Sequence, residues 1–197
     1  MALAHTYGSG GSDSCINTVK AVSNLLYGIK IDHYASVTMD AVPIINDLAG
    51  GVTLTMMDDL TSVDPALVQG EAVTLQGEQA LLYVRSRGGL EDSTNLHRME
   101  RQRQYMLTLW GQVRDRAASD ENFLAKVLLE TSAYLVTDCS TDKLSELFEE
   151  VGQLEITDIL TLDGKSVQGD PYMEYYVDED MVQETVLQLF YDRVEEG

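Results

Sequence analysis

The stretch Ile31-Asp-His-Tyr-Ala-Ser-Val-Thr-Met-Asp-Ala-Val-Pro-Ile-Ile-Asn-Asp-Leu-Ala-Gly-Gly-Val-Thr-Leu-Thr-Met-Met57 decides the fold class. From 33 to 39, Tyr34, Ser36 and Thr38 alternate with Ala35, Val37 and Met39, the period of a strand. Asp40 stands where it caps a short helix carrying Ile44, Ile45 and Leu48. Pro43 falls in its first turn, where a missing N–H is tolerated. Gly50-Gly51 stops the helix, and 52–57 reads as a second strand. Strand, helix and strand in so short a run predict an α/β protein with helices covering a sheet.

The same alternation extends outward. Tyr7-Gly-Ser-Gly-Gly-Ser-Asp13 is a glycine-rich turn after which Ser12 or Asp13 caps a helix with stripe Ile16, Val19, Val22 and Leu26, stopping at Gly28. On the other side, 58–70 reads as a loop or lid with Pro65 and several acids, and 77–86 as a helix with Ala80, Leu81 and Val84 on one side. Residues 87–95 form a polar turn, and a long helix over 96–116 places Met99, Met106, Leu109, Trp110 and Val113 inward. One more helix runs from Asp120 through Leu135, and another, capped by Ser140 or Thr141, ends at Gly152. A strand over 156–162, turns at Asp163-Gly164 and Gly169-Asp170, a strand over 172–177 and an amphipathic helix over 178–194 complete the chain. Asp178, Glu179 and Asp180 suit the positive end of that last helix. No linker or repeat divides residues 1–197, so a single domain is expected.

Composition narrows the function. The 197 residues carry a net charge of −20, and 44% are hydrophobic. That is a globular composition, not a disordered acidic one. The charge opposes binding to nucleic acid and to anionic lipid by electrostatics. No run of 18 apolar residues and no signal-peptide pattern is present in the sequence given. His5, His33 and His97 are scattered, and HExxH, GxSxG, a P-loop lysine and GxGxxG are all absent. Cys15 and Cys139 lack zinc-site spacing; they are either two small buried thiols, the slightly favoured reading, or one disulfide.

The positive charge is concentrated. Five of the eight arginines, Arg85, Arg87, Arg98, Arg101 and Arg103, fall between 85 and 103, beside only Glu91, Asp92 and Glu100. Arg85 and Arg87 end one helix; Arg98 and Arg101 stand one turn apart on the next. Two helix ends joined by a short turn can aim guanidinium forks at one compact anion, phosphate or pyrophosphate. Asp92, Asn95 and Glu100 then orient the forks or help to hold a divalent cation. The competing reading is a solvated charged face with i,i+3 and i,i+4 pairs, and the residues alone leave the two near even. The glycine turn before Asn17 is a weaker anion cradle. Tyr172, Tyr175 and Tyr176 read as strand packing before they read as a sugar platform.

Four ordered blocks carry a resemblance: residues 31–40, Asn46-Asp-Leu-Ala-Gly-Gly-Val52, Leu75-Gln-Gly-Glu-Gln-Ala-Leu-Leu-Tyr-Val-Arg-Ser-Arg87, and Arg98-Met-Glu-Arg-Gln102. In this order and spacing the chain closely resembles the LytR–CpsA–Psr family, also called the cell envelope-related transcriptional attenuator domain. The blocks cover roughly 3–110; the part beyond, with Thr137-Asp-Cys-Ser140, matches less specifically. The resemblance implies a three-layer α/β/α sandwich around a mixed sheet. It implies a phosphotransferase that moves a glycopolymer from a polyprenyl pyrophosphate carrier to peptidoglycan with Mg²⁺ or a similar cation, in a parent protein anchored by a membrane helix with this domain on the extracellular face of a bacterial cytoplasmic membrane. By position, Arg85 and Arg87 match the family's Arg-x-Arg, and Arg98, Arg101 and Gln102 its Arg-x-x-Arg-Gln; these would hold the pyrophosphate. Either Asp92 or Asn95 fills the family's acidic role, and Asp92 is the metal candidate.

Family members begin with strands that carry an Asp and two Arg facing the pyrophosphate. The sequence given starts after the equivalent point, so a partial domain with impaired catalysis is expected. The alternatives are a non-catalytic, regulatory module that binds a polyprenyl pyrophosphate or wall polymer, and DNA-binding attenuation, which the charge opposes. An exposed sheet edge could drive dimerisation. Val37, Met39, Ile44, Ile45, Leu81 and Leu109 could line a polyprenyl groove, with ordinary core favoured for most of them.

Overall fold

A computed structural model describes residues 4–86, 95–152, 154, 156, 159–170 and 173–192, with the side chains of Asn95, Leu96 and Met173 excluded. The chain divides into two compact units: one of residues 35–154, and one that combines 1–34 with 155–197.

In the first unit, β1 (Ala35–Val37) precedes α2 (Ala41–Leu48), with α1 (Gly11–Leu25) lying earlier in the chain. The sequence continues with β2 (Val52–Thr55), β3 (Ala72–Leu75), α3 (Glu78–Arg85), α4 (Asn95–Ser119), α5 (Phe123–Thr131), β4 (Leu135–Thr137) and α6 (Thr141–Gly152). β1 pairs antiparallel with β4, and β2 antiparallel with β3 in the register Val52–Leu75 to Thr55–Ala72. The second unit holds α1 (Gly11–Leu25), the antiparallel hairpin of β5 (Gly164–Gln168) and β6 (Met173–Val177), and α7 (Glu179–Phe190). The α/β class is as expected. Among the described residues its strands form three two-stranded antiparallel ladders, with no parallel pair.

The core of the first unit is continuous: Val52, Leu54, Met56, Leu60, Leu67, Leu75, Ala80, Tyr83, Val84 and Tyr105 are buried together, with Leu81 and Leu109 packed against them. Asn46 is its polar hub. Its amide donates to the Leu75 carbonyl at 2.8 Å, and its Oδ1 accepts from the Tyr105 hydroxyl at 3.2 Å and the Val52 N–H at 3.3 Å. Gly51 closes the turn beneath it at φ 86°, and a Cβ there would lie 3.0 Å from the Leu75 carbonyl oxygen. An L-residue there is strained by its backbone and would crowd that oxygen.

Several expectations change. Residues 58–70 are not a free lid: Leu60 and Leu67 are fully buried, and the Leu60 N–H donates to the Leu67 carbonyl at 3.0 Å. The apolar sequence of that segment anchors it to the core. Residues 72–75 and 135–137 are strands that the sequence does not predict; a strand lies at Gly164–Gln168, while 156 and 159–162 are not strand and 157 and 158 lie outside the described residues. In α4, Met99 and Met106 are exposed while Arg101 and Tyr105 are buried, so the inward face is rotated from the apolar stripe. Val37 and Met39 are exposed and Leu81 and Leu109 join the core, so the six apolar residues do not share one environment. Cys15 and Cys139 are both free thiols, Cys15 buried and Cys139 half-buried. No helix among the described residues is long and apolar enough to cross a membrane.

Candidate functional site

The Arg-rich region is built where α3 ends and α4 begins. α3 leaves the helical conformation at Ser86 (φ −60°, ψ 140°), whose N–H closes the last turn on the Leu82 carbonyl at 2.9 Å. Arg85 stands exposed in that last turn, where the negative end of the helix dipole favours its charge. Arg98 is half-buried and Arg103 exposed on α4. Arg87 and Asp92 lie outside the described residues, as does the side chain of Asn95.

Arg101 does something different from the role expected of it. It is fully buried, and its guanidinium donates to the Asp58 carboxylate at 2.6 Å, and through its other terminal nitrogen to the Ser86 carbonyl. Its Cζ lies 6.0 Å from the centroid of the Tyr83 ring, in cation–π range. The sequence places Arg101 among the pyrophosphate-binding residues; in the structure both of its terminal nitrogens are committed to Asp58 and Ser86. A buried arginine needs a buried anion, because desolvation of an unpaired charge is prohibitive. Asp58, three residues beyond the end of β2, supplies it at 5% exposure.

The partners of Asp58 complete a network. His97 Nδ1 approaches the second carboxylate oxygen at 3.4 Å. The Tyr83 hydroxyl donates to Gln104 Oε1, while Gln104 Nε2 donates to the Thr55 carbonyl at 2.9 Å. Burial pushes the Tyr83 phenol up to about 12, so it remains a protonated donor. Burial pushes Tyr105 upward as well. Gln102 Nε2 donates to the Val84 carbonyl at 3.0 Å, which commits the amide nitrogen of another expected pyrophosphate residue to α3. Both Asp58 oxygens face nitrogen groups, so this carboxylate does not fit a divalent cation. The metal expectation rests on Asp92, which lies outside the described residues.

Asp58, Tyr83 and His97 were missed as members of this network. The available signal was Met56-Met57-Asp58-Asp59-Leu60, an acid embedded in apolar sequence directly after a strand. The other expected sites are also altered. At the start of α1 the Ser9 N–H and hydroxyl both donate to Asp13, at 2.8 and 3.1 Å, so the chain's own carboxylate takes the donors of the glycine turn. Tyr175 and Tyr176 are more than half exposed instead of packed, and Tyr172 lies outside the described residues.

The comparisons agree with the blocks of sequence and with the fold. The model of the LytR_cpsA_psr family matches residues 1–190. This chain therefore belongs to the LytR–CpsA–Psr family. It is 31% identical over 164 residues to the polyisoprenyl-teichoic acid–peptidoglycan teichoic acid transferase TagU of Halalkalibacterium halodurans, covering 79% of this chain and 51% of the relative. It is 36% identical over 96 residues to the cell wall biosynthesis protein LcpA of Corynebacterium glutamicum, covering 48% of this chain and 18% of that protein. The chain thus spans about half or less of these relatives. Among solved structures, Bacillus subtilis TagU superposes with a TM-score of 0.67 at 20% identity, over 98% of this chain and 78% of that one. A protein of Enterococcus faecalis described as a transcriptional regulator superposes with a TM-score of 0.75 at 22% identity, over 95% and 67%. At such identities the likeness is one of fold.

Proposed function

We propose that this chain is part of a cell-envelope glycopolymer transferase that takes its polymer from a polyprenyl pyrophosphate carrier and passes it to peptidoglycan on the outer side of the cytoplasmic membrane. One observation supports this most: Arg85 and Arg98 flank the α3–α4 connection on a core that is rigidly tied from both helices. Phosphoryl transfer depends on positioning and charge neutralisation more than on covalent chemistry by the protein. In this reading the guanidinium groups of Arg85 and Arg98, with Arg87 from the connection, neutralise the pyrophosphate. An acceptor hydroxyl oxygen bonds to the phosphorus carrying the polymer, the P–O bond to the departing polyprenyl phosphate breaks, and the hydroxyl proton is released. Asp92 or Asn95 would supply the acidic role beside them, and a divalent cation, if Asp92 holds one, would add charge neutralisation.

The carrier is tested by titrating the chain with geranylgeranyl pyrophosphate and with inorganic pyrophosphate. Binding of the lipid that falls about tenfold or more in Arg85→Ala, in line with the loss of a charge-assisted bond, supports the reading. Equal binding by the variant refutes it. Transfer is tested separately with a polyprenyl-pyrophosphate-linked polymer and peptidoglycan; binding without turnover would favour the regulatory, non-catalytic alternative.

A further inference from the structure

We infer that Asp58 is a positioning residue for the arginine site: through buried Arg101 it holds the Ser86 carbonyl and so fixes the direction in which α3 delivers Arg85 to the anion. The inference rests on the pyrophosphate reading above. It reassigns two residues. Arg101 leaves the set that touches ligand, and Asp58, outside the Arg-rich stretch, joins the residues on which the site depends.

The last carbonyls of any helix lack partners within the helix and usually turn to water. In α3 two of them are instead taken by α4. Val84 accepts from Gln102 and Ser86 from Arg101, consecutive residues on one helix. A planar guanidinium suits this task because its fork can address two acceptors at once in fixed directions. One terminal nitrogen is spent on Asp58 and the other on Ser86. The third nitrogen, Nε, is buried without an acceptor among the described residues, so the hydrogen bonds that orient the fork are those to Asp58 and Ser86. Asp58 is itself tied to the core, since Met56 and Leu60 on either side of it are buried. Three segments, 56–60, 83–86 and α4, therefore meet at one ion pair. Arg85 precedes the clamped carbonyl by one residue, and a shift of the helix end would carry its guanidinium with it. Near an anion, small displacements of a positioned charge are costly.

The test combines binding with amide exchange in the full chain. Asp58→Ala should raise exchange at the Ser86 amide and weaken geranylgeranyl pyrophosphate about tenfold, comparable to a broken buried network contact. Val52→Ala, a gap in the same core away from the ion pair, should leave Ser86 exchange and the affinity near those of the unaltered chain. In an Arg85→Ala background the Asp58 change should cost little more, because the group it positions is gone. Effects that multiply to about a hundredfold would mean independent roles and overturn the inference. So would Ser86 exchange equal to that of Val52→Ala. If Asp58→Ala fails to fold, Asp58→Asn, which keeps an acceptor oxygen, serves in its place and should give a smaller change of the same kind. If the unaltered chain binds no pyrophosphate at all, the functional reading falls, and the Ser86 exchange comparison alone decides whether the clamp exists.

Discussion

The two compact units solve burial differently. Residues 35–154 enclose a continuous apolar core and, within it, the charged and polar side chains of Asn46, Asp58 and Arg101, each with a named partner. The unit formed by 1–34 and 155–197 buries Ser14, Cys15, Val182 and Val186 among its described residues, and leaves Tyr175, Tyr176, Leu187, Leu189 and Phe190 substantially exposed. The first unit is held by interior contacts between segments distant in the sequence. The second depends more on local devices such as the Asp178 carboxylate accepting the Met181 N–H at 3.1 Å at the start of α7. The candidate anion site sits on the densely packed unit, as a site needing fixed charges requires.

The largest expected break in this contrast is Arg101→Ala. It strands the buried Asp58 charge and should cost about 3–5 kcal/mol, read by urea unfolding. Trp110, the single tryptophan, lies in α4 and makes its fluorescence a reporter of the first unit. A loss below about 1 kcal/mol would mean that the pair is not truly desolvated. Next comes Leu75→Ala, a fully buried residue next to the Asn46 hub, with an expected cost of about 2–4 kcal/mol in the same assay. Leu187→Ala, at 52% exposure in α7, should stay within about 0.5 kcal/mol, and a core-sized loss there would erase the distinction between the units.

The smallest effect concerns acid. The Ser9 N–H and hydroxyl hold the Asp13 carboxyl below its ordinary value of 3.8. The folded state is thus the weaker proton binder. Its contribution is complete above pH 3.8 and fades as pH falls through the lower folded value. Local fraying at Ser9, seen as faster amide exchange below that pH and absent in Asp13→Asn, checks it.

The sequence pointed to one domain and not to two units; much of the local fold was nonetheless legible in it, and what was not has a physical pattern. Helices α2 and α3 follow from periodicity and the Gly50-Gly51 stop, although Asp40 makes no side-chain capping bond at α2; α6 and α7 follow from caps as well, as at Ser140, whose hydroxyl oxygen accepts the Lys143 N–H at 3.2 Å. The positions of Arg85 and Arg98 near the α3–α4 turn follow from spacing. The short strands Ala72–Leu75 and Leu135–Thr137 did not emerge, because their signal is a tertiary pairing and not a local period. Arg101 was misjudged for a related reason. Charge predicts exposure unless a counter-charge is buried with it, and its counter-charge lies 43 residues away in sequence. Residue type identified a guanidinium; only the fold could say that it faces inward.

That separation also bears on the order of folding. Asp58 and Arg101 gain from each other only when water has left both, and this requires the β2–β3 ladder, α3 and α4 to be assembled around them. This predicts that the pair forms late, on the native side of the folding barrier. Weakening it with Arg101→Lys should accelerate unfolding while refolding proceeds at nearly its usual rate. The bond that orients the arginine site would then also act as the latch that sets the lifetime of the folded chain.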